Sequence, residues 1–122
     1  MFELSVKTHF SAAHHLRGYP GLCASVHGHN WHVEVFVRGE KLSRTGMLVD
    51  FRKIKDAVKA VMKKLDHTDL NKLPAFRKTN PTSENIARFI HEATAAQLNC
   101  RQYKVAMVTV GETSESRASY WE

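Results

Sequence analysis

The sequence predicts an α+β fold, an antiparallel four-stranded sheet with two helices on one face. Three observations carry it. Apolar residues alternate with polar ones near both ends, the period turns helical in the middle, and short turns separate neighbouring strand-like segments. With 122 residues, 43% hydrophobic and 25% charged, the chain holds enough for one core and too little for two, so a single domain over 1–122 is expected.

The first strand covers residues 1–13, where Phe2, Leu4, Val6, Phe10 and Ala12 share one face. Residues 27–38 form the second, with His27, His29, Trp31, Val33, Val35 and Val37 aligned. "RGEKLSRTG" supplies a turn, with Gly39 and Gly46 as punctuation. From Asp50, a candidate N-cap, Phe51, Ile54, Val58, Val61, Met62 and Leu65 recur at helical spacing, with Lys53, Lys55, Lys59 and Lys63 outward. The polar stretch "DHTDLNKLPAFRKTNP" then leads to a second helix. Thr82 is its expected cap, Glu84 sits in its first turn, and Ile86, Phe89, Ile90, Ala93 and Leu98 form its stripe. Residues 103–112 return to a strand, and "RASYW" forms a short last one. Four strands leave two open sheet edges, which invite pairing with another subunit.

Composition excludes some roles. No apolar run approaches the ~18 residues a membrane helix needs. The N-terminal segment reads as a strand rather than a signal peptide, so the expectation is a cytoplasmic protein with no membrane partner. The two cysteines, Cys23 and Cys100, lie in unlike settings and make no disulfide framework. The charge of +6 points to an anionic partner, but no basic stripe with interleaved aromatics argues for nucleic acid.

The chemistry is concentrated in "CASVHGHNWH", residues 23–32. In a strand, residues i and i+2 face one way, so His27 and His29 aim at one point, and Gly28 between them adds no bulk. His14 follows Phe10 and Ala12 in parity at the end of the first strand. Three neutral histidines with one open position describe a catalytic zinc. His9, His32 and His91 fall elsewhere and are read as non-ligands. Cys23 is either a fourth ligand or a reactive thiol beside the metal; its "GYPGLCASV" loop favours the thiol. Asp66-His67 follows the first helix, though sequence neighbours do not by themselves face one another. Glu112 continues the parity of Ala106, Val108 and Val110, so it points inward and needs a cationic or multi-donor partner.

In order and spacing, "FSAAH", "CASVHGHNW", "GMLVDF", "LDHTDLN", "NPTSEN" and "VGET" resemble the 6-pyruvoyltetrahydropterin synthase and 6-carboxytetrahydropterin synthase family. The Cys-x3-His-Gly-His spacing is similar to the bacterial 6-carboxytetrahydropterin synthases of queuosine biosynthesis; the pyruvoyl enzymes have a longer gap. The resemblance implies a tunnelling fold, in which trimers close a β-barrel and two barrels stack into a homohexamer. It implies zinc on His14, His27 and His29, and a catalytic Cys23 with Asp66 and His67 as proton-transfer partners. Glu112 would anchor the pterin, with Thr82, Ser83 and Glu84 near the same pocket. Two positions depart from the pattern: His15 stands where the family often has Arg, and Gly111 where it has a larger residue.

The expectation is a zinc-dependent lyase that converts 7,8-dihydroneopterin triphosphate to 6-carboxy-5,6,7,8-tetrahydropterin, releasing acetaldehyde and triphosphate. Arg17, Lys72 and Arg77 are candidates for holding the triphosphate. The rivals are the pyruvoyl product on the same site, a non-catalytic zinc module with Cys23 as fourth ligand, and a nucleic-acid-binding protein.

Overall fold

The computed structural model describes residues 1–21 and 24–122, so Cys23 lies outside the described residues. Two long strands come first, β1 (Phe2–His14) and β2 (His27–Gly39), paired antiparallel from Phe2 opposite Gly39 to His14 opposite His27. Helix α1 (Phe51–Leu65) follows, then a two-residue strand β3 (Thr68–Asp69) and two short 3-10 turns, Leu70–Lys72 and Pro74–Phe76. Helix α2 (Ser83–Leu98), β4 (Lys104–Gly111) and β5 (Arg117–Tyr120) complete the order. Among the described residues the sheet runs β3-β1-β2-β4-β5. No helix among them is long and apolar enough to cross a membrane.

The expected four antiparallel strands are present, with one addition. β3 runs parallel to β1, with Ala12 opposite Thr68 and Ala13 opposite Asp69. It forms because the chain leaving α1 is stitched to β1: the Ser11 amide donates to Asp66 Oδ1 at 2.8 Å, and the His67 amide donates to the Ser11 carbonyl at 2.6 Å. A two-residue strand has no period to read.

Alternation on β1 and β2 buries one face. Val6, Phe10, Ala12, Trp31, Val33, Val35 and Val37 enter the core, where they meet Ile54, Val58, Val61 and Leu65 of α1 and Ile86 and Ile90 of α2. Truncating a fully buried aromatic such as Trp31 typically costs about 3–5 kcal/mol. α1 starts as expected, with Asp50 Oδ1 accepting from the Arg52 amide at 2.8 Å. Phe51, assigned to its apolar stripe, is instead 50% exposed at the first helical position, and Ala57 joins the buried face. α2 is capped by Thr82, whose hydroxyl accepts from the Asn85 amide at 3.2 Å. Its buried stripe is rotated from the expected one: Ala87, His91 and Thr94 are buried, while Phe89 and Ala93 are half-buried. His91 and Thr94 are polar, yet the Thr94 hydroxyl is satisfied by the Ile90 carbonyl at 2.7 Å.

β4 also departs from simple alternation. Phe36 opposes Met107 but Val37 opposes Val105, which leaves Ala106 as the extra residue of a bulge. Parity counted from Ala106 is therefore unsound, although Val108 and Val110 are buried. Beyond β4 the chain turns tightly over Gly111. A Cβ there would stand 2.5 Å from the Thr113 carbonyl oxygen and 2.7 Å from that of Ser116, so this turn requires glycine.

Candidate metal centre

The β1–β2 register creates the centre. His14 and His27 are the last opposed pair of the ladder, and His29 lies two residues along β2 on the same face. Their ligand nitrogens lie within 4.8 Å of one another, the grouping of metal-capable side chains found among the described residues. Trp31 forms the floor, with its ring centroid 4.8 Å from that of His14 and 5.3 Å from that of His29. Gly28 is not needed to make room: a Cβ there would meet nothing within 4 Å, because residue 28 faces the other way.

Hydrogen bonds set the tautomers. His14 Nδ1 lies 2.8 Å from the Pro81 carbonyl oxygen, and His27 Nδ1 lies 2.7 Å from that of Ser25. A carbonyl only accepts, so both Nδ1 atoms carry the proton and both Nε2 atoms keep their lone pairs. His14 is 1% exposed, and its Nε2 and that of His29 are buried with no hydrogen-bond partner among the described residues. Burial, reinforced by the neighbouring His27 and His29, lowers the His14 pKa against the opposing pull of the Pro81 hydrogen bond. A neutral imidazole with an orphaned, inward lone pair is what a metal ligand requires. The three histidines can thus hold a metal ion.

Glu112 closes one side. Its Oε1 lies 3.8 Å from His14 Nε2 and its Oε2 lies 3.6 Å from His29 Nε2. Parity gave its direction but not its burial, because the side chain is 43% exposed, just past the end of β4. Glu112 also lines a cavity of about 300 Å³ at the start of α2, together with Ser83, Glu84, Ser116, Arg117 and Ala118. Thr82 is engaged in capping that helix and does not line the cavity.

Asp66 and His67 form a pair of their own. Asp66 Oδ2 lies 2.9 Å from His67 Nδ1, and the two face each other because His67 adopts a left-handed backbone, φ 57°. The Ser11 amide, then His67, hold the Asp66 carboxyl below its ordinary value. The His67 side chain is 83% exposed. His9 and His32 are exposed on the opposite sheet face and His91 is buried in α2, so none joins the cluster. Arg17 is not free for phosphate: its guanidinium donates to the carbonyls of Phe76, Arg77 and Thr79. Lys72 and Arg77 are exposed and line no part of the Glu112 cavity. Sequence reading missed the Pro81 and Ser25 carbonyls, which as backbone atoms leave no mark in residue type.

Comparison with known proteins accords with this geometry. The sequence profile of the 6-pyruvoyl tetrahydropterin synthase family matches residues 3–122. A Bacillus subtilis protein named 6-carboxy-5,6,7,8-tetrahydropterin synthase is 37% identical, covering 98% of this chain and 84% of its own. A Pyrococcus furiosus protein named dihydroneopterin monophosphate aldolase is 38% identical, covering 80% of this chain and 70% of its own. The solved structure of Caenorhabditis elegans 6-pyruvoyl tetrahydropterin synthase superposes with a TM-score of 0.89 at 29% identity, covering 99% of this chain and 95% of that one. With the family profile matched over residues 3–122, nearly its whole length, the chain belongs to the 6-pyruvoyl tetrahydropterin synthase family of lyases.

Proposed function

We propose that this chain is a zinc-dependent lyase that takes 7,8-dihydroneopterin triphosphate to 6-carboxy-5,6,7,8-tetrahydropterin, releasing acetaldehyde and triphosphate, in the cytoplasmic route to queuosine. The observation that carries the reading is the convergence of His14, His27 and His29, with two Nδ1 atoms tied to carbonyls. Histidine nitrogens suit zinc, and three of them leave a position for substrate. Zinc held by His14, His27 and His29 would supply a Lewis acid for the substrate's side-chain hydroxyls and for the negative charge that develops as a carbon-bound proton leaves.

The chain's own residues do the rest. Glu112 accepts the paired donors of the pterin edge, beside Ser83 and Glu84 in the cavity at the start of α2. Thr82 keeps that helix end in place through its cap. Cys23 takes the carbon-bound proton, and His67, oriented by Asp66, returns protons. The net charge of +6 favours a substrate bearing a triphosphate. Among the described residues the outer edge of β1 is paired only at Ala12 and Ala13, and this open edge supports assembly into trimers and a homohexamer, which native mass measurement tests.

A protein named 6-pyruvoyl tetrahydrobiopterin synthase from Drosophila melanogaster is 38% identical over 77% of this chain, so the product must be identified directly. The test is incubation of zinc-loaded protein with dihydroneopterin triphosphate and identification of products by mass. The carboxy product with acetaldehyde supports the reading. A pyruvoyl product or an aldol cleavage product replaces it. Cys23→Ala separates catalysis from a structural zinc module: turnover should collapse while zinc stays bound, and zinc loss would make the thiol a ligand.

A further inference from the structure

The chain leaves β1 at His14 with a partner on one side only. There His14 opposes His27, while on the other side β3 pairs with nothing beyond Ala13. Two asparagine side chains continue the ladder where a strand is missing. Asn71 Oδ1 accepts from the His15 amide at 2.9 Å, and Asn71 Nδ2 donates to the His15 carbonyl at 3.0 Å. Asn80 repeats the pattern on Arg17, accepting at 3.0 Å and donating at 2.9 Å. Each carboxamide thus satisfies both the N–H and the C=O of one residue in the segment that follows β1.

Arg17 adds a second tie. It donates to the Phe76 carbonyl, to that of Arg77 at 2.9 Å and to that of Thr79 at 3.0 Å, and its Nε reaches Asn80 Oδ1 at 3.3 Å. Four of the five donors of a guanidinium thus grip one segment, and no carboxylate among the described residues pairs with it. The same segment is fastened to α2 where Asn85 Nδ2 donates to the Asn80 carbonyl at 2.9 Å. Its last residue is Pro81, whose carbonyl receives His14 Nδ1.

We propose that Arg17 and Asn80 are positioning residues for the metal centre. They fix residues 76–81 so that the Pro81 carbonyl holds the His14 imidazole with Nε2 turned to the metal. The inference rests on the metal reading above. A backbone carbonyl cannot be deleted by substitution, so only its placement is encoded, and these two side chains encode it. The outer partner of a ligating histidine is typically worth about 10- to 100-fold in metal affinity. Arg17 therefore acts through His14 and not through substrate phosphate.

The full-length protein is tested by zinc affinity in chelator competition, by the absorption spectrum of its Co(II) form, and by unfolding with and without zinc. Arg17→Ala and Asn80→Ala should weaken zinc roughly 10- to 100-fold, broaden the Co(II) spectrum and shrink the zinc-dependent rise in Tm. A purely structural role would lower Tm equally with and without metal. Arg17→Lys should behave like Arg17→Ala, because one ammonium cannot span three carbonyls. Should Arg17→Ala fail to fold, Arg17→Lys and Asn80→Ser carry the test. Zinc affinity within twofold of the parent in these variants, or full restoration by Arg17→Lys, overturns the proposal. His29→Ala is the control: if it binds zinc as tightly as the parent, the metal reading fails and this one falls with it. If only His29→Ala loses zinc, the metal reading stands and the positioning role alone is refuted.

Discussion

His14 ends β1, and His67 is tied to the same strand through Ser11, yet the two are built in contrary ways. His14 is 1% exposed, held by long-strand register, a tryptophan floor and a carbonyl on Nδ1. The His67 side chain is 83% exposed, on a left-handed residue, with one carboxylate as its ring partner. The first arrangement suits a group that must not move, since a metal ligand loses affinity when its ring can rotate. The second suits a group that must meet a substrate or a thiol carried elsewhere. Under the proposed function, the difference would separate a preformed metal site from a proton carrier completed by other groups.

That contrast can be broken at its strong end first. His29→Ala removes one of three nitrogens from a site whose others are fixed, so zinc should fall from about one ion per chain to a trace, with activity lost. The β1–β2 ladder does not need that ring, so the variant should stay folded by circular dichroism. Metal analysis after dialysis checks it, and stoichiometric zinc in His29→Ala would mean that the histidines are not the ligands.

Glu112→Gln should act next most strongly, and on substrate rather than metal. It keeps the shape but turns one acceptor oxygen into a donor, which under the proposed function would face the pterin's donor edge. A charge-assisted pair lost there costs on the order of 2–4 kcal/mol, or roughly 30- to 1,000-fold in pterin affinity. Zinc content should stay unchanged. If zinc is lost instead, Glu112, whose carboxylate lies within 3.8 Å of His14 Nε2 and His29 Nε2, is a metal ligand.

The same contrast governs what was legible in sequence. His14, His27 and His29 could be read because a period of two fixes direction, and two 13-residue strands keep that period without a slip. Glu112 was legible in direction only, since it lies past a bulge and past the strand's end, where parity says nothing of burial. β3 and the facing of Asp66 and His67 were not legible at all. They depend on a left-handed residue with no glycine to announce it and on hydrogen bonds to Ser11, 55 positions away from Asp66 in sequence. Arg17 misled for a related reason: a guanidinium reads as a phosphate ligand until the carbonyls that surround it are known.

The exposed end of the comparison is sharpened by a backbone test. At φ 57° a β-carbon is crowded and glycine is not, so His67→Gly should be more stable than His67→Ala by about 1 kcal/mol. Both variants lose the imidazole and its contact with Asp66, so the difference isolates the backbone. Denaturant midpoints at one protomer concentration measure it. Equal midpoints would mean that the left-handed conformation is not kept in solution.

The smallest effect expected is a pH dependence at Asp66. Its carboxyl is held below the ordinary value of 3.8, first by the Ser11 amide and then by His67, so the folded state binds that proton less readily than the unfolded chain. The ionised form therefore stabilises the fold fully above about pH 4, and that contribution disappears as the pH falls through the lowered folded value. Asp66→Asn keeps an oxygen for the Ser11 amide but has no charge to titrate. The stability gap between parent and variant should be widest near neutrality and should close as the pH drops below about 4. Denaturant midpoints at a series of pH values read this directly. A gap that stays constant into acid would show that the oxygen's hydrogen bond, rather than its charge, ties the start of β3 to β1.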